Sequence, residues 1–196
     1  MRMLDLYSGL GGASETFLKA GWDVVRMENN PLLKGVPNTI LHDVMEDHEV
    51  YDQDFDFVWA SPPCTEFSNA YGAPKSVAYR SGEDFAPDLT LLHRSVEIID
   101  RIKPKYWAIE NVAGASKIFS HTLKVNAPRQ IIGPFFLWGI FPFVIVDYDW
   151  THTKSSQDVW SSDPLRANKK GKIPFEISRG FLEAIIQQRQ ITEWID

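Results

Sequence analysis

The sequence predicts an α/β domain, a mostly parallel β-sheet covered by helices on both faces, with an antiparallel hairpin at one edge. Three observations carry this. Short apolar runs alternate with helical patterns as far as Val112, and such alternation builds parallel strands joined by helical crossovers. A glycine-rich turn, Gly9 to Gly12, separates the first apolar run from the first helical one. The alternation then gives way to an aromatic, apolar stretch broken by Gly139 and Pro142, which reads as two antiparallel strands.

In chain order, "MLDLYS" is a buried strand that feeds the glycine turn, and "ASETFLKAG" is a helix stopped by Gly21. "DVVRME" is the second strand, "NTILHD" the third, ending at Asp43, and "DFDFVWA" the fourth, ending at "SPPCTEFS". Residues 69 to 86 are rich in Gly, Ser, Tyr and Pro without a period, so a mobile loop is expected. "DLTLLHRSVEIIDRIKP" places Leu89, Leu92, Val96, Ile99 and Ile102 at helical spacing and stops at Pro104. "KYWAIENV" is the fifth strand. "GPFFLWGIFPFVIVDYDW" holds the hairpin, residues 151 to 172 are polar and irregular, and "IPFEISRGFLEAIIQQRQITEWI" is a closing helix with Ile177, Phe181, Ile185 and Gln188 on one face.

The chain of 196 residues reads as one domain, residues 1–196, with no internal repeat. A hydrophobic content of 44% with 23% charged residues fits a packed globular core. The net charge of −6 excludes a generally basic surface and leaves room for a local basic patch. No apolar run reaches the roughly 20 residues that span a bilayer, and the N-terminus enters a strand rather than a signal peptide. The single cysteine cannot form an internal disulfide, which points to an intracellular, cytoplasmic setting. The histidines are scattered without ligand spacing, so no metal is expected.

In open parallel sheets, ligands bind beyond the carboxyl ends of the strands. Five polar features fall there: the turn Gly9 to Gly12, Glu28, Asp43, the Cys64 loop, and Glu110 with Asn111. Glycines let a backbone approach a ligand, and the helix start offers free N–H groups; the alternative is an ordinary tight turn. No Gly-Lys-Ser/Thr follows, so the turn is not a P-loop. Glu28 lies roughly twenty residues past the turn, where a carboxylate can accept from ribose hydroxyls, unless it is a plain surface acid. With Asp43 as weaker evidence of the same kind, these features point to an adenosine-containing cofactor. A lone cysteine is most often a small buried apolar residue. Cys64 instead follows Pro62-Pro63 at a strand end and is flanked by Thr65, Glu66 and Ser68, a setting that can hold a thiolate nucleophile. Glu110 and Asn111 either cap the next segment or place an acid opposite the cysteine across one ligand.

Taken together, "DLYSGLGG", "PPCTEFS" and "ENV", in that order, resemble the motifs of the DNA cytosine-5 methyltransferase family, over about Met3 to Val112. "GKIPFEISRGFLEAI" loosely resembles the family's closing motif. The resemblance implies a Rossmann-like methyltransferase fold that uses S-adenosylmethionine and releases S-adenosylhomocysteine. It implies that Tyr7 lies against the cofactor adenine, that Gly9, Gly11 and Gly12 shape the methionine end, that Glu28 binds the ribose, and that Asp43 binds the adenine amino group. Asn29 and Pro62 join that cofactor set. Cys64 would be the nucleophile toward cytosine C6, Glu110 the contact to N3 and the amino group, and Asn111 a support for the loop. The partner implied is duplex DNA with the target base flipped from the stack, and a prokaryotic or viral origin fits.

The sequence departs from the family pattern in three places. Only Arg129 stands where an arginine-rich motif is expected, Gly171-Lys172 replaces glycine-asparagine, and residues 147–172 are too few for an independent target-recognition domain. A minimal enzyme with short or degenerate sequence preference follows, or one that needs a protein partner for recognition. Arg166, Lys169, Lys170 and Lys172, with Lys75 and Arg80, would hold phosphates or else form a solvated surface. The alternatives are amino methylation, whose motif shares "SPP" but continues with an aromatic residue, C5 chemistry on a free nucleotide or single strand, and one part of a split enzyme.

Overall fold

The structure is a computed structural model that describes residues 1–147 and 162–193, with side chains of the last helix described as far as Gln188. Much of the segment expected to stand in for a recognition domain, residues 148–161, lies outside the described residues.

Strands β1 (Arg2–Leu6), β2 (Asp23–Glu28), β3 (Thr39–Leu41), β4 (Phe57–Ala60), β5 (Tyr106–Asn111), β6 (Gln130–Ile132) and β7 (Phe135–Ile140) form one sheet in the order β3-β2-β1-β4-β5-β7-β6. All pairs from β3 to β5 are parallel, and β7 runs antiparallel to both β5 and β6. This is the predicted fold class. The chain leaves β1 toward β2 and β3, then returns to place β4 on the other side of β1. The order therefore reverses between β1 and β4, and the crevice beyond such a switch point is where ligands enter this architecture.

Both faces of the sheet are buried, which explains the continuous apolar strands. Phe57 and Trp59 of β4 face one side with Phe17 and Phe181, while Val58 and Ala60 face the other with Leu92 and Phe119. The first face is covered by helices α1 (Glu15–Lys19) and α6 (Phe175–Glu193), the second by α3 (Thr90–Ile102) and α4 (Ser116–Thr122). Ile177, Phe181 and Ile185 are buried as their spacing predicts. Helix α3 ends as Lys103 turns left-handed at φ 53°, directly before Pro104.

Several expectations need correction. The supposed mobile loop contains a helix, α2 (Pro74–Ser81), with proline in its first turn and Gly82 left-handed at its end. The hairpin begins earlier than the aromatic run suggested, turning at Gly133-Pro134, so Gly139 lies inside β7 rather than at a turn. Gly139 has φ 142°, and a Cβ there would meet the Trp107 carbonyl of β5 at 2.1 Å. Within the segment expected to be irregular, residues 166–170 form a short helix, α5 (Arg166–Lys170). Helix α4 had no counterpart in the sequence reading. Among the described residues, no helix is long and apolar enough to cross a membrane.

Candidate functional site

A cavity of about 690 Å³ opens at the switch point. Its wall includes Tyr7, Gly9, Gly12, Glu28, Asn29, Asp43, Pro62, Cys64 and Glu110. These come from five separate strand ends, so the topology unites features that lie up to about a hundred residues apart in sequence. Gly11 and Asn111 do not line it; both support it from behind.

The glycine turn is held on several sides. The Ser8 N–H donates to the Met27 carbonyl at 3.1 Å, and the Gly11 N–H to the Ser8 carbonyl at 2.7 Å. Glu28 accepts from the Gly9 N–H at 2.8 Å and, through its other oxygen, from the Asn30 N–H at 2.9 Å. Each carboxylate oxygen keeps a further lone pair for a ligand hydroxyl. Behind Gly11 lies a buried network that the sequence reading missed. Arg26 donates to the Ser14 hydroxyl (2.8 Å), to the Gly11 carbonyl (3.2 Å) and to the Pro37 carbonyl (2.7 Å), while Ser14 donates to Asp5 at 2.5 Å. Burial pushes the Asp5 carboxyl up to about 6, against the pull of Ser14 and Arg26. A signal existed: Asp5 and Arg26 are charges inside two apolar runs, and they pair in register across β1 and β2.

Tyr7, at φ 57°, donates its hydroxyl to the Leu91 carbonyl at 2.9 Å and accepts from Ser95 at 3.1 Å, which ties the cavity wall to α3. Asp43 is exposed and caps its own loop by accepting from the Met45 N–H at 3.0 Å. The Ser8 hydroxyl is buried in the cavity wall with no hydrogen-bond partner among the described residues.

At the other end, Cys64 is a free, exposed thiol. Its carbonyl accepts from the Phe67 and Ser68 N–H groups at 3.0 and 2.9 Å, which closes a tight turn. On one side of this turn, Asn111 Nδ2 donates to the Pro62 carbonyl at 2.9 Å. On the other, Phe67 is buried edge-on against Phe119. Gly114 fits beneath it with no room for a side chain, since a Cβ would lie 1.9 Å from the Phe67 carbonyl. Glu110 meets the cavity but is otherwise enclosed. Burial pushes its carboxyl up to about 7, opposed only by the Ser61 hydroxyl. Partial burial and the Glu110 charge push the Cys64 thiol up as well.

Not every predicted residue joins the site. Arg129 does not line the cavity; it donates to the Phe141 carbonyl at 2.8 Å and lies over the Phe141 ring. Of the basic residues expected to hold phosphates, Lys169 pairs with Asp163 at 2.6 Å and Lys172 with Glu15 at 3.0 Å. Arg80 donates to the Tyr71 carbonyl at 2.7 Å and stacks on the Tyr71 ring. Conversely, Ser61, Phe135, Asn168 and Lys170 line the cavity without having been singled out for it.

A family model described as C-5 cytosine-specific DNA methylase matches residues 1–127. A protein of Frog virus 3 (isolate Goorha), named "Probable DNA (cytosine-5)-methyltransferase", is 33% identical over 120 residues, which are 57% of this chain and 53% of that protein. The chain thus spans about half the length of this relative. Two solved structures overlap in part. The Pyrococcus abyssi tRNA (uracil-54, C5)-methyltransferase in complex with S-adenosyl-L-homocysteine has a TM-score of 0.40 at 18% identity, covering 63% of this chain and 27% of that one. A mutant of Spodoptera frugiperda DNMT2 has a TM-score of 0.40 at 21% identity, covering 63% and 40%.

Proposed function

The chain belongs to the C-5 cytosine-specific DNA methylase family, and from that premise we propose that it transfers a methyl group from S-adenosylmethionine to C5 of cytosine in DNA. One observation carries the reading. A free thiol, Cys64, and a carboxyl that holds its proton up to neutral pH, Glu110, share one cavity with a glycine turn and the Glu28 carboxylate.

The cavity fits the cofactor. Its volume lies within the range of small-molecule sites, and its buried Ser8 hydroxyl has no partner among the described residues, a place that a polar ligand would fill. Tyr7, Gly9, Gly12, Glu28, Asn29, Asp43 and Pro62 would hold it, with Gly11 shaping the turn from behind. When bound, S-adenosylmethionine supplies an electrophilic methyl group on a sulfonium sulfur.

Cytosine C5 is a weak nucleophile, and the residues of this chain change that. The Cys64 thiolate adds to C6, forming the S–C6 bond, and the C5–C6 double-bond electrons are drawn through the ring toward N3. Glu110 gives its proton to N3, so the ring gains no net negative charge and C5 becomes the carbon of an enamine. After methylation a base takes the C5 proton, the electrons of that C–H bond expel the thiolate from C6, and the N3 proton returns to the Glu110 carboxylate, which restores the aromatic ring and the acid. Glu110 at about 7 is poised to donate near neutrality, and once it is neutral it no longer opposes ionisation of Cys64. The base must leave the duplex to reach this turn, at a cost of a few kcal/mol that contacts to DNA offset.

Specificity is read through base edges. The described part of the segment between the hairpin and α6 offers little beyond the short helix α5. We therefore expect a short or degenerate target sequence, or a protein partner that supplies recognition. C5 methylation of single-stranded DNA or of a free nucleotide is the second reading, motivated by that same short segment.

The test is transfer of a labelled methyl group to duplex DNA, single-stranded DNA or dCMP, followed by digestion to nucleosides. Label in 5-methylcytosine from the duplex supports the proposal. Label confined to the single strand or to dCMP moves it to the second reading. N4-methylcytosine or N6-methyladenine contradicts both.

A further inference from the structure

We infer that α5 carries a further binding element of the cavity: Asn168 and Lys170 recognise the carboxylate at the amino-acid end of the cofactor. This rests on reading the cavity as an S-adenosylmethionine site. The element lies beyond residue 127, where the family match ends.

Residues 167 to 173 face the glycine turn at close range. A Cβ on Gly12 would lie 2.4 Å from the Ile173 carbonyl and 2.8 Å from Lys172 Cγ, so turn and segment touch and no gap separates them. Asn168 is oriented by Asn30, whose Nδ2 donates to Asn168 Oδ1 at 3.5 Å. That leaves Asn168 Nδ2 as the group beside Gly9, 3.7 Å from where a Cβ would stand. It is a donor aimed at the turn with no other bond among the described residues.

Charge then selects the ligand group. Lys169 and Lys172 are neutralised by Asp163 and Glu15, whereas Lys170 lines the cavity with no acid partner among the described residues. Glu28 and Asp43 make other parts of the wall acidic and suited to ligand hydroxyl and amino donors. A ligand matching both needs donors on one part and an anion on another. The α-carboxylate is the one anionic group of S-adenosylmethionine. An amide N–H with an ammonium is a suitable pair of donors for it.

The whole chain is titrated calorimetrically with S-adenosylmethionine and with its decarboxylated analogue, for wild type, Lys170→Met and Asn168→Ala. Wild type should lose roughly tenfold in affinity when the carboxylate is removed, as expected for charge-assisted hydrogen bonds. Lys170→Met should weaken S-adenosylmethionine by a similar factor and leave the analogue unchanged, with Asn168→Ala showing the same pattern more weakly. Lys170 is exposed, so its replacement leaves the fold intact. Variants that weaken both ligands equally, or neither, overturn the inference. So does a Lys170→Met variant that changes only the salt dependence of DNA binding. A wild-type chain that binds neither ligand overturns the cofactor reading itself, a failure distinct from one that binds both equally.

Discussion

The turn after β1 is tied to other elements along its length, whereas the loop after β4, closed on itself by the bonds to the Cys64 carbonyl, is tied to other elements only at its two ends. Gly9 is pinned by Glu28, Gly11 by Arg26, and Gly12 by the backbone of residue 173. In the Cys64 loop, Asn111 holds Pro62 and the packing of Phe67 holds the far side, while the thiol between them stays exposed. The two carboxyls whose desolvation raises their pKa differ in the same way. Asp5, behind the turn, has Ser14 and Arg26 to offset its burial, and Glu110 has only Ser61. A cofactor pocket gains from a rigid wall that matches one ligand. A covalent catalyst needs a nucleophile that a base can approach and an acid whose proton is loosely held. Under the proposed function, each kind of wall stands where its chemistry calls for it.

This contrast can be broken from either side. The largest effect should come from Glu110→Gln, which removes the acid and should lower kcat/KM by roughly 10²–10⁴-fold. The pH profile sharpens the point. On the proposed mechanism the reactive form has Glu110 protonated and Cys64 ionised, and the carboxyl titrates below the thiol. Wild-type activity should therefore rise to about pH 7 and then level off, while Glu110→Gln keeps rising until the thiol ionises. Stability should move the other way. The folded-state pKa of Glu110 is raised, so wild type loses stability as pH climbs from the ordinary carboxyl range through about 7. Glu110→Gln should be about 1–3 kcal/mol more stable than wild type at pH 8 and equal to it at pH 4 in urea titrations. Equal stability at both would contradict the burial of this carboxyl.

Gly12→Ala attacks the rigid end. With a carbonyl 2.4 Å from the new methyl group, it should destabilise the fold by about 1–3 kcal/mol and weaken cofactor binding. Gly35→Ala, with nothing nearby, should change neither. Asn111→Ala releases one end of the cysteine loop. A loss of about 1–2 kcal/mol is expected from the unpaired Pro62 carbonyl, with kcat/KM falling while cofactor affinity, measured by calorimetry, holds. Tyr7→Phe should matter least. It removes the bonds to Leu91 and Ser95 but keeps the ring in the wall, so thermal melts should register about 1 kcal/mol or less.

The sheet and the residues of its carboxyl edge were legible in the sequence, because buried parallel strands are apolar throughout and polar residues at their ends stand out. Cys64, Glu110, Glu28 and the glycines were readable for that reason. What escaped were contacts between distant segments. Asn168 beside Gly9 and the pairing of Lys172 with Glu15 depend on packing that no local pattern encodes, and Arg26 stands out only as a charge inside an apolar run, with nothing local to show that it reaches Gly11. Helix α2 was missed because it is polar and short, although Pro74 and Gly82 bracketed it. Arg129 was a weak candidate for the contact expected of an arginine-rich motif, and it bonds to the Phe141 carbonyl instead of lining the cavity.

The most direct test uses duplex DNA in which the target cytosine carries fluorine at C5. Cysteine addition and methyl transfer can proceed, but no C5 proton can leave, so the thioether to C6 should persist. After incubation with S-adenosylmethionine and denaturation, mass spectrometry should find the chain covalently joined to DNA, with the adduct on the peptide containing Cys64. Methylation of ordinary cytosine by a chain that forms no such adduct, or by Cys64→Ser at the full wild-type rate, would contradict the covalent role of Cys64.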